Sequence, residues 1–226
     1  MHRLLTFAIA ISFFAAAHAY QEKKSIILDP WVYEIRDPET GKEKFRQALT
    51  KIGEYLGLEA LSELPTECVE VQTLTGATAK HHLCSEDPVL VTILRAGIPL
   101  CIGVQNIFPE SEVGFIAMSR DEETLKAKID YVGVPDVEGK CVIIIDTMIA
   151  TGGSMLDAIK IVEARTPKKI IVIGAIASEF GIASIMEHNS EIKIFAAAID
   201  PQLNEKGYIV PGLGDAGDRA YGRKAG

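Results

Sequence analysis

Val142-Ile143-Ile144-Ile145-Asp146-Thr147-Met148-Ile149-Ala150-Thr151-Gly152-Gly153-Ser154 stands past the middle of the 226-residue chain. Its unbroken β-branched start suits a strand covered on both faces, because no polar residue alternates with the apolar ones. The run meets an acid and a small-residue turn, after which Leu156, Ile159 and Val162 recur at helical spacing. Strand, acid, turn and helix in this order form an anion-site layout. Thr151, Gly152, Gly153 and Ser154 would offer successive backbone N–H groups and two hydroxyls to a phosphate at the positive end of the helix dipole. The plain alternative is a βα turn in which Thr151 or Ser154 caps the helix. No Gly-Lys-Ser/Thr follows and no GxGxxG is present, so this is neither a Walker loop nor a dinucleotide fingerprint. Without a lysine among the phosphates, a kinase reading loses its main support. Asp146, at the predicted strand tip, suits the vicinal hydroxyls of a ribose or waters on a metal ion.

The same unit recurs on either side. Apolar runs at Val89–Ile93, Val113–Met118, Ile170–Ile173 and Ile192–Ile199 alternate with helical stretches, which predicts a mostly parallel sheet flanked by helices. Ligand sites in such sheets lie at the carboxyl ends of the strands. Upstream, Phe45, Leu49, Ile52 and Leu56 recur at helical spacing between Glu43 and Leu61, and Pro65 closes that segment. Alternation from Cys68 to Leu74, then Gly76 and polar residues to Lys80, predicts a peripheral hairpin-like excursion.

Composition sets outer bounds. Hydrophobic residues make up 48% and charged ones 24%, which excludes a disordered chain and a polytopic membrane protein. With 23 basic and 31 acidic residues the net charge is −8, which argues against binding nucleic acid backbones. Cys68, Cys84, Cys101 and Cys141 form no CxxC pair and no zinc spacing, so buried free thiols are expected and no metal is assigned to protein ligands alone. Met1 to Ala19 has the layout of a secretory signal peptide: a basic start, an apolar stretch from Leu4 to Ala17, and Ala17-His18-Ala19. That stretch is short for a membrane span. A spurious or unprocessed extension is the other reading, with residues 20–226 as the folded domain.

Three further segments carry chemistry. Leu94-Arg95-Ala96-Gly97 places a guanidinium in a small-residue turn after a strand, where paired donors suit a pyrophosphate. Ser119-Arg120-Asp121-Glu122-Glu123-Thr124 is a charge run that, taken alone, is a solvated loop. Gly207-Tyr208-Ile209-Val210-Pro211-Gly212-Leu213-Gly214-Asp215-Ala216-Gly217-Asp218-Arg219 has so many glycines around one proline that little freedom remains for a helix or strand. It favours a loop that presents backbone groups closely to a flat ligand.

Taken together, these motifs resemble the type I phosphoribosyltransferases, and Met-x-Ala-Thr-Gly-Gly-Ser with the terminal Gly-rich loop is similar to their uracil phosphoribosyltransferase branch. The resemblance runs from about Phe45 to Tyr221; before it, Arg36 lines up with the family's early basic segment, while Ser25, Asp29 and Trp31 stand where histidine and lysine are often found. Thr147 and Ser119 also depart from the usual proline and tyrosine. The resemblance implies a type I phosphoribosyltransferase-like α/β fold and transfer of the phosphoribosyl group of PRPP to N1 of uracil, giving UMP. It implies PRPP contacts at Arg95, Arg120, Asp146, Thr147, Met148, Ile149, Ala150, Thr151, Gly152, Gly153, Ser154 and Asp215. Uracil contacts are implied at Ile209, Gly214, Asp215 and Ala216, largely through the backbone. Arg95, Arg120 and Asp215 are the implied catalytic groups, and the segment from Arg120 to Tyr131 the implied flap. Mg²⁺ bound largely through PRPP, a homodimer or higher assembly, and activation by GTP are further implications. Because PRPP is an intracellular metabolite, the enzyme reading favours the cytoplasm, with no membrane or nucleic acid partner. The competing readings are a pyrimidine-sensing regulator that binds RNA and salvage of another base such as adenine or hypoxanthine.

Overall fold

The computed structural model describes residues 20–22, 26–120 and 127–223, so the signal-peptide-like segment lies outside the described residues. Along the chain run β1 (Tyr20–Glu22), α1 (Asp29–Arg36), α2 (Lys42–Ala60), β2 (Thr66–Gln72), β3 (Thr78–Cys84), β4 (Val89–Leu94) and α3 (Ile98–Ile107). There follow β5 (Val113–Arg120), β6 (Ala127–Gly133), β7 (Cys141–Ile149), α4 (Gly153–Glu163), β8 (Lys169–Ser178) and α5 (Glu179–His188). The chain closes with β9 (Lys193–Asp200), β10 (Gln202–Leu203), β11 (Ile209–Val210) and α6 (Ala216–Tyr221).

Seven strands make one sheet in the order β1-β9-β8-β7-β4-β5-β6, with all neighbours parallel except β5 and β6. The continuous apolar runs are explained by cores on both faces. On β7, Ile143 and Ile145 point into a core with α1, α2 and α3, while Val142 and Ile144 point into one with α4 and α5. On β8, Ile171 and Ile173 join the first core, and Ile170 and Val172 the second. Strand periodicity of two makes this sharing obligatory. The expected excursion is the β2–β3 hairpin, in register from Thr66 opposite Cys84 to Gln72 opposite Thr78.

Three expectations need correction. The central strand runs on to Ile149, so Asp146 lies within β7 opposite Gly174 rather than beyond its end. The four cysteines are free, but Cys68 is exposed on the hairpin and Cys84 half-exposed; only Cys101 and Cys141 are buried. Burial pushes the Cys101 thiol up to about 12, which makes it unreactive. The Gly-rich terminal segment is also more ordered than its composition predicts: Ile209–Val210 pairs with Gln202–Leu203, and Asp215 accepts from the Asp218 N–H as the N-cap of α6. Among the described residues no helix is long and apolar enough to cross a membrane.

Helices α2 and α3 cross through glycine. A Cβ at Gly103 would fall on the Thr50 carbonyl oxygen, and one at Gly53 on that of Leu100. Both obstacles are backbone, which cannot rotate aside. Gly103→Ala is therefore expected to destabilise the fold by about 2–3 kcal/mol and lower Tm by about 5–10 °C. Differential scanning calorimetry checks this, and an unchanged Tm would show that the two helices can part cheaply.

Candidate active site

A cleft of about 960 Å³ opens at the carboxyl edge of the parallel strands. Its walls come from the ends of β4 and β7, the start of α4, and the segment before α6. At its floor is Asp146, whose carboxylate accepts from the Thr147 N–H at 2.7 Å. Burial pushes this carboxyl up from its ordinary 3.8 to about 7, and hydrogen bonds from the Thr147 and Met148 backbone oppose that rise.

The turn after β7 is built for close approach. Gly152, with φ of +83°, stands at the cap of α4, where it offers no side chain to the helix. A Cβ at Gly152 would also crowd the Gly181 carbonyl oxygen and the Ser184 Cβ. Of the two caps considered from the sequence, Thr151 makes a long contact, its Oγ1 accepting from the Gly153 N–H at 3.4 Å, and Thr151 to Ser154 all line the cleft. The amides at the positive end of this eleven-residue helix favour an anion. The loop is pinned at two points: Thr147 Oγ1 donates to the Ala96 carbonyl at 2.7 Å, and Ser178 Oγ to that of Ala150 at 2.5 Å.

Arg95 enters from the end of β4. One of its terminal nitrogens donates to Asp218 Oδ1 at 3.1 Å and to the Gly222 carbonyl at 3.2 Å. This half-exposed pair is the weak kind that an incoming phosphate can replace. Asp215 and Gly217 complete the wall, together with Tyr208, Lys160 and Arg223. Only one Asp215 oxygen is engaged among the described residues.

The cleft gathers Arg95, Asp146, the turn from Met148 to Ser154, and Asp215, which are far apart in sequence. Thr147 is the exception within its segment: it is fully buried and turned from the cleft to Ala96. Ile209, Gly214 and Ala216 are not brought into the cleft lining: Ile209 and Ala216 are buried, and Gly214 is exposed next to Asp215. Arg120 ends β5, paired with Ala127, and residues 121–126 of the expected flap lie outside the described residues. Beyond them the segment is the antiparallel edge strand β6. Sequence reading missed Tyr208, Asp218 and Arg223, and also Asp200, behind the terminal segment. Asp200 follows an apolar run as Asp146 does, and that parallel was the available signal.

The raised Asp146 carboxyl has a stability consequence. In the fold it keeps its proton to about pH 7, whereas an unfolded carboxyl releases it near 3.8, so folding stability falls as pH rises between these values. Asp146→Asn never ionises, and its Tm is expected to exceed that of the wild type by about 5 °C at pH 8 and to converge on it near pH 4. Thermal scans across that range decide the matter; a gap independent of pH would mean that Asp146 is not the titrating group.

Comparison with known proteins agrees with this geometry. The family model described as uracil phosphoribosyltransferase matches residues 23–223. Uracil phosphoribosyltransferases from Shouchella clausii and Ligilactobacillus salivarius are 41% and 43% identical over 191 and 192 residues, covering 84% of this chain and 91% of each relative. The solved structure of AQ2163 protein from Aquifex aeolicus superposes with a TM-score of 0.83 at 37% identity, covering 90% of this chain and 98% of that one. The anion turn, the cleft and the terminal segment all fall inside the matched span, and the chain belongs to the uracil phosphoribosyltransferase family.

Proposed function

We propose that this chain transfers the phosphoribosyl group of PRPP to N1 of uracil, giving UMP and pyrophosphate, as a step of pyrimidine salvage. The observation that carries the reading is one cleft with the turn at the start of α4 on one wall and Gly207, Tyr208, Asp215 and Gly217 of the glycine-rich segment on another. The first suits the 5′-phosphate, held by Thr151 to Ser154. The second suits a flat base whose donor, flanked by two carbonyls, matches backbone C=O and N–H groups at Ile209, Gly214 and Ala216.

In the reaction the bond from ribose C1 to the pyrophosphate oxygen breaks, the N1–C1 bond forms, and the N1 proton leaves. Charge develops on the departing pyrophosphate and on an oxocarbenium-like ribose, so catalysis is mainly positioning and electrostatic stabilisation. Arg95 exchanges Asp218 for a pyrophosphate oxygen, and Arg120 is the second cation this reading assigns to the pyrophosphate. Asp146 holds the ribose hydroxyls. Asp215 receives the N1 proton on the oxygen not used in capping α6.

Asp146, on the cleft floor, is a carboxylate suited to the waters of a Mg²⁺ carried mainly by substrate oxygens. When bound, the ion neutralises charge on the pyrophosphate. Assembly as a homodimer or larger oligomer, activation by GTP and a cytoplasmic location belong to the same reading and rest on family membership.

Formation of UMP from uracil, PRPP and Mg²⁺, with cytosine, adenine and hypoxanthine as parallel acceptors, tests this directly. Turnover confined to uracil is expected; turnover with a purine alone would replace the reading, and PRPP binding without turnover would favour a sensor. Asp215→Asn keeps an N-cap while removing the base, because asparagine caps as well as aspartate. Its kcat is expected to fall about 100-fold with Tm held within about 2 °C. Unchanged turnover would remove Asp215 from proton transfer.

A further inference from the structure

Arg36 ends α1 and Asp200 ends β9, and neither lines the cleft. They meet as a two-pronged pair: one guanidinium nitrogen donates to Asp200 Oδ1 at 2.7 Å and the other to Oδ2 at 2.8 Å. Asp200 is 4% exposed. Both partners also hold Gly212. Arg36 donates to the Gly212 carbonyl at 2.8 Å, while the Gly212 N–H donates to Asp200 Oδ2 at 2.8 Å. The donor and the acceptor of one backbone residue are thus both fixed by one ion pair.

Gly212 sits two residues before Gly214, at a sharp reversal. Its φ is +57°, and a Cβ there would fall on the Ile209 carbonyl oxygen. The adjoining Leu213 carbonyl accepts from Arg219 at 3.1 Å, and Arg219 also donates to the Ile35 and Asp37 carbonyls while lying 4.4 Å over the Phe45 ring. Contacts on α1 and its end therefore fix the terminal segment from behind, on the side away from the cleft. The phosphate turn is pinned separately, through Thr147 to Ala96 and Ser178 to Ala150.

A buried ion pair gives little net stability, because desolvation offsets its attraction, yet it fixes geometry tightly. We infer that Arg36 and Asp200 are positioning residues for the nucleobase: through Gly212 they hold the backbone that recognises uracil, and they do not act on the phosphate side. This rests on the uracil transferase reading above. Two separate scaffolds imply two separable affinities, which a merely structural role would not give.

The test is steady-state kinetics of the full chain with each substrate varied at saturation of the other, alongside thermal scans. In Arg36→Lys the point charge cannot fork to both Asp200 oxygens and Gly212. Its KM for uracil is expected to rise about tenfold. The KM for PRPP and kcat should change less than threefold. Arg36→Met/Asp200→Leu replaces the pair with apolar side chains and removes both partners of the buried Gly212 N–H and carbonyl. Its Tm is therefore expected to fall, and the uracil KM should rise at least as far as in Arg36→Lys while the PRPP KM changes less than threefold. A uracil KM within twofold of the wild type in both variants, or both KM values rising in parallel, would overturn the inference. Wild-type turnover of uracil in the same assay separates the two claims: its absence removes the functional reading and this inference with it, whereas turnover with unaffected variants removes the inference alone.

Discussion

Parallel strands cannot be joined by a tight turn, so the β4–β5, β7–β8 and β8–β9 connections pass through helices, and every strand of the main sheet except the antiparallel β6 delivers its carboxyl end to the same edge. That constraint orders the whole molecule. It places the residues after β4, within and after β7, and at the end of β9 along one edge of the sheet, although helices separate them in sequence. Arg95, Asp146 and Asp200 all occur where an apolar run gives way to polar residues, and the sheet brings all three to one end. The edge that gathers them is also where backbone amides at the start of α4 are released from the ladder, so the anion turn and the carboxylate arrive together.

The sheet was legible because its runs are extreme. Val142 to Ile145 and Ile170 to Ile173 have no alternation, and only a strand with a core on each face explains them. The hairpin was legible from its alternation. Helix α1 was not, because Asp29 to Arg36 buries only Ile35 and carries no long apolar stripe; Pro30 in its first turn was the available signal. The terminal segment misled in the opposite direction. Its glycines predict a free loop, but Asn204 accepts from the Lys206 and Tyr208 N–H groups and folds Gln202–Leu203 onto Ile209–Val210. Side-chain caps and tertiary carboxylates, here Asn204, Asp215 and Asp200, supply the order that composition hides.

Site geometry was legible where it depends on local spacing and illegible where it depends on long-range hydrogen bonds. Thr151 to Ser154 form a tight turn into α4 because the strand, the positive-φ glycine and the helix are consecutive in sequence. The grip of Arg36 and Asp200 on Gly212 spans almost the entire chain, and no periodicity announces it. The elevated Asp146 carboxyl belongs with these: the residue type is read at once, but its burial comes from neighbouring elements that only the fold assembles.

Thr147 shows how one substitution changes the means of holding a loop. The proline that the resemblance leads one to expect here would fix φ but bring no N–H. Threonine leaves φ free and contributes two hydrogen bonds, its N–H to Asp146 and its hydroxyl to the Ala96 carbonyl. The first supports the ionised form of the carboxylate on the cleft floor; the second ties the phosphate turn to the turn that carries Arg95. A ring constrains one residue, whereas this hydroxyl couples two loops, so the departure from the family pattern lies behind the site and strengthens the relation between the groups that line it. The same logic applies to the terminal segment, where a pair of side chains outside the cleft holds Gly212, three residues before Asp215 in its wall. In both places the ligand-facing atoms belong to turns, and their precision comes from buried polar contacts one layer back.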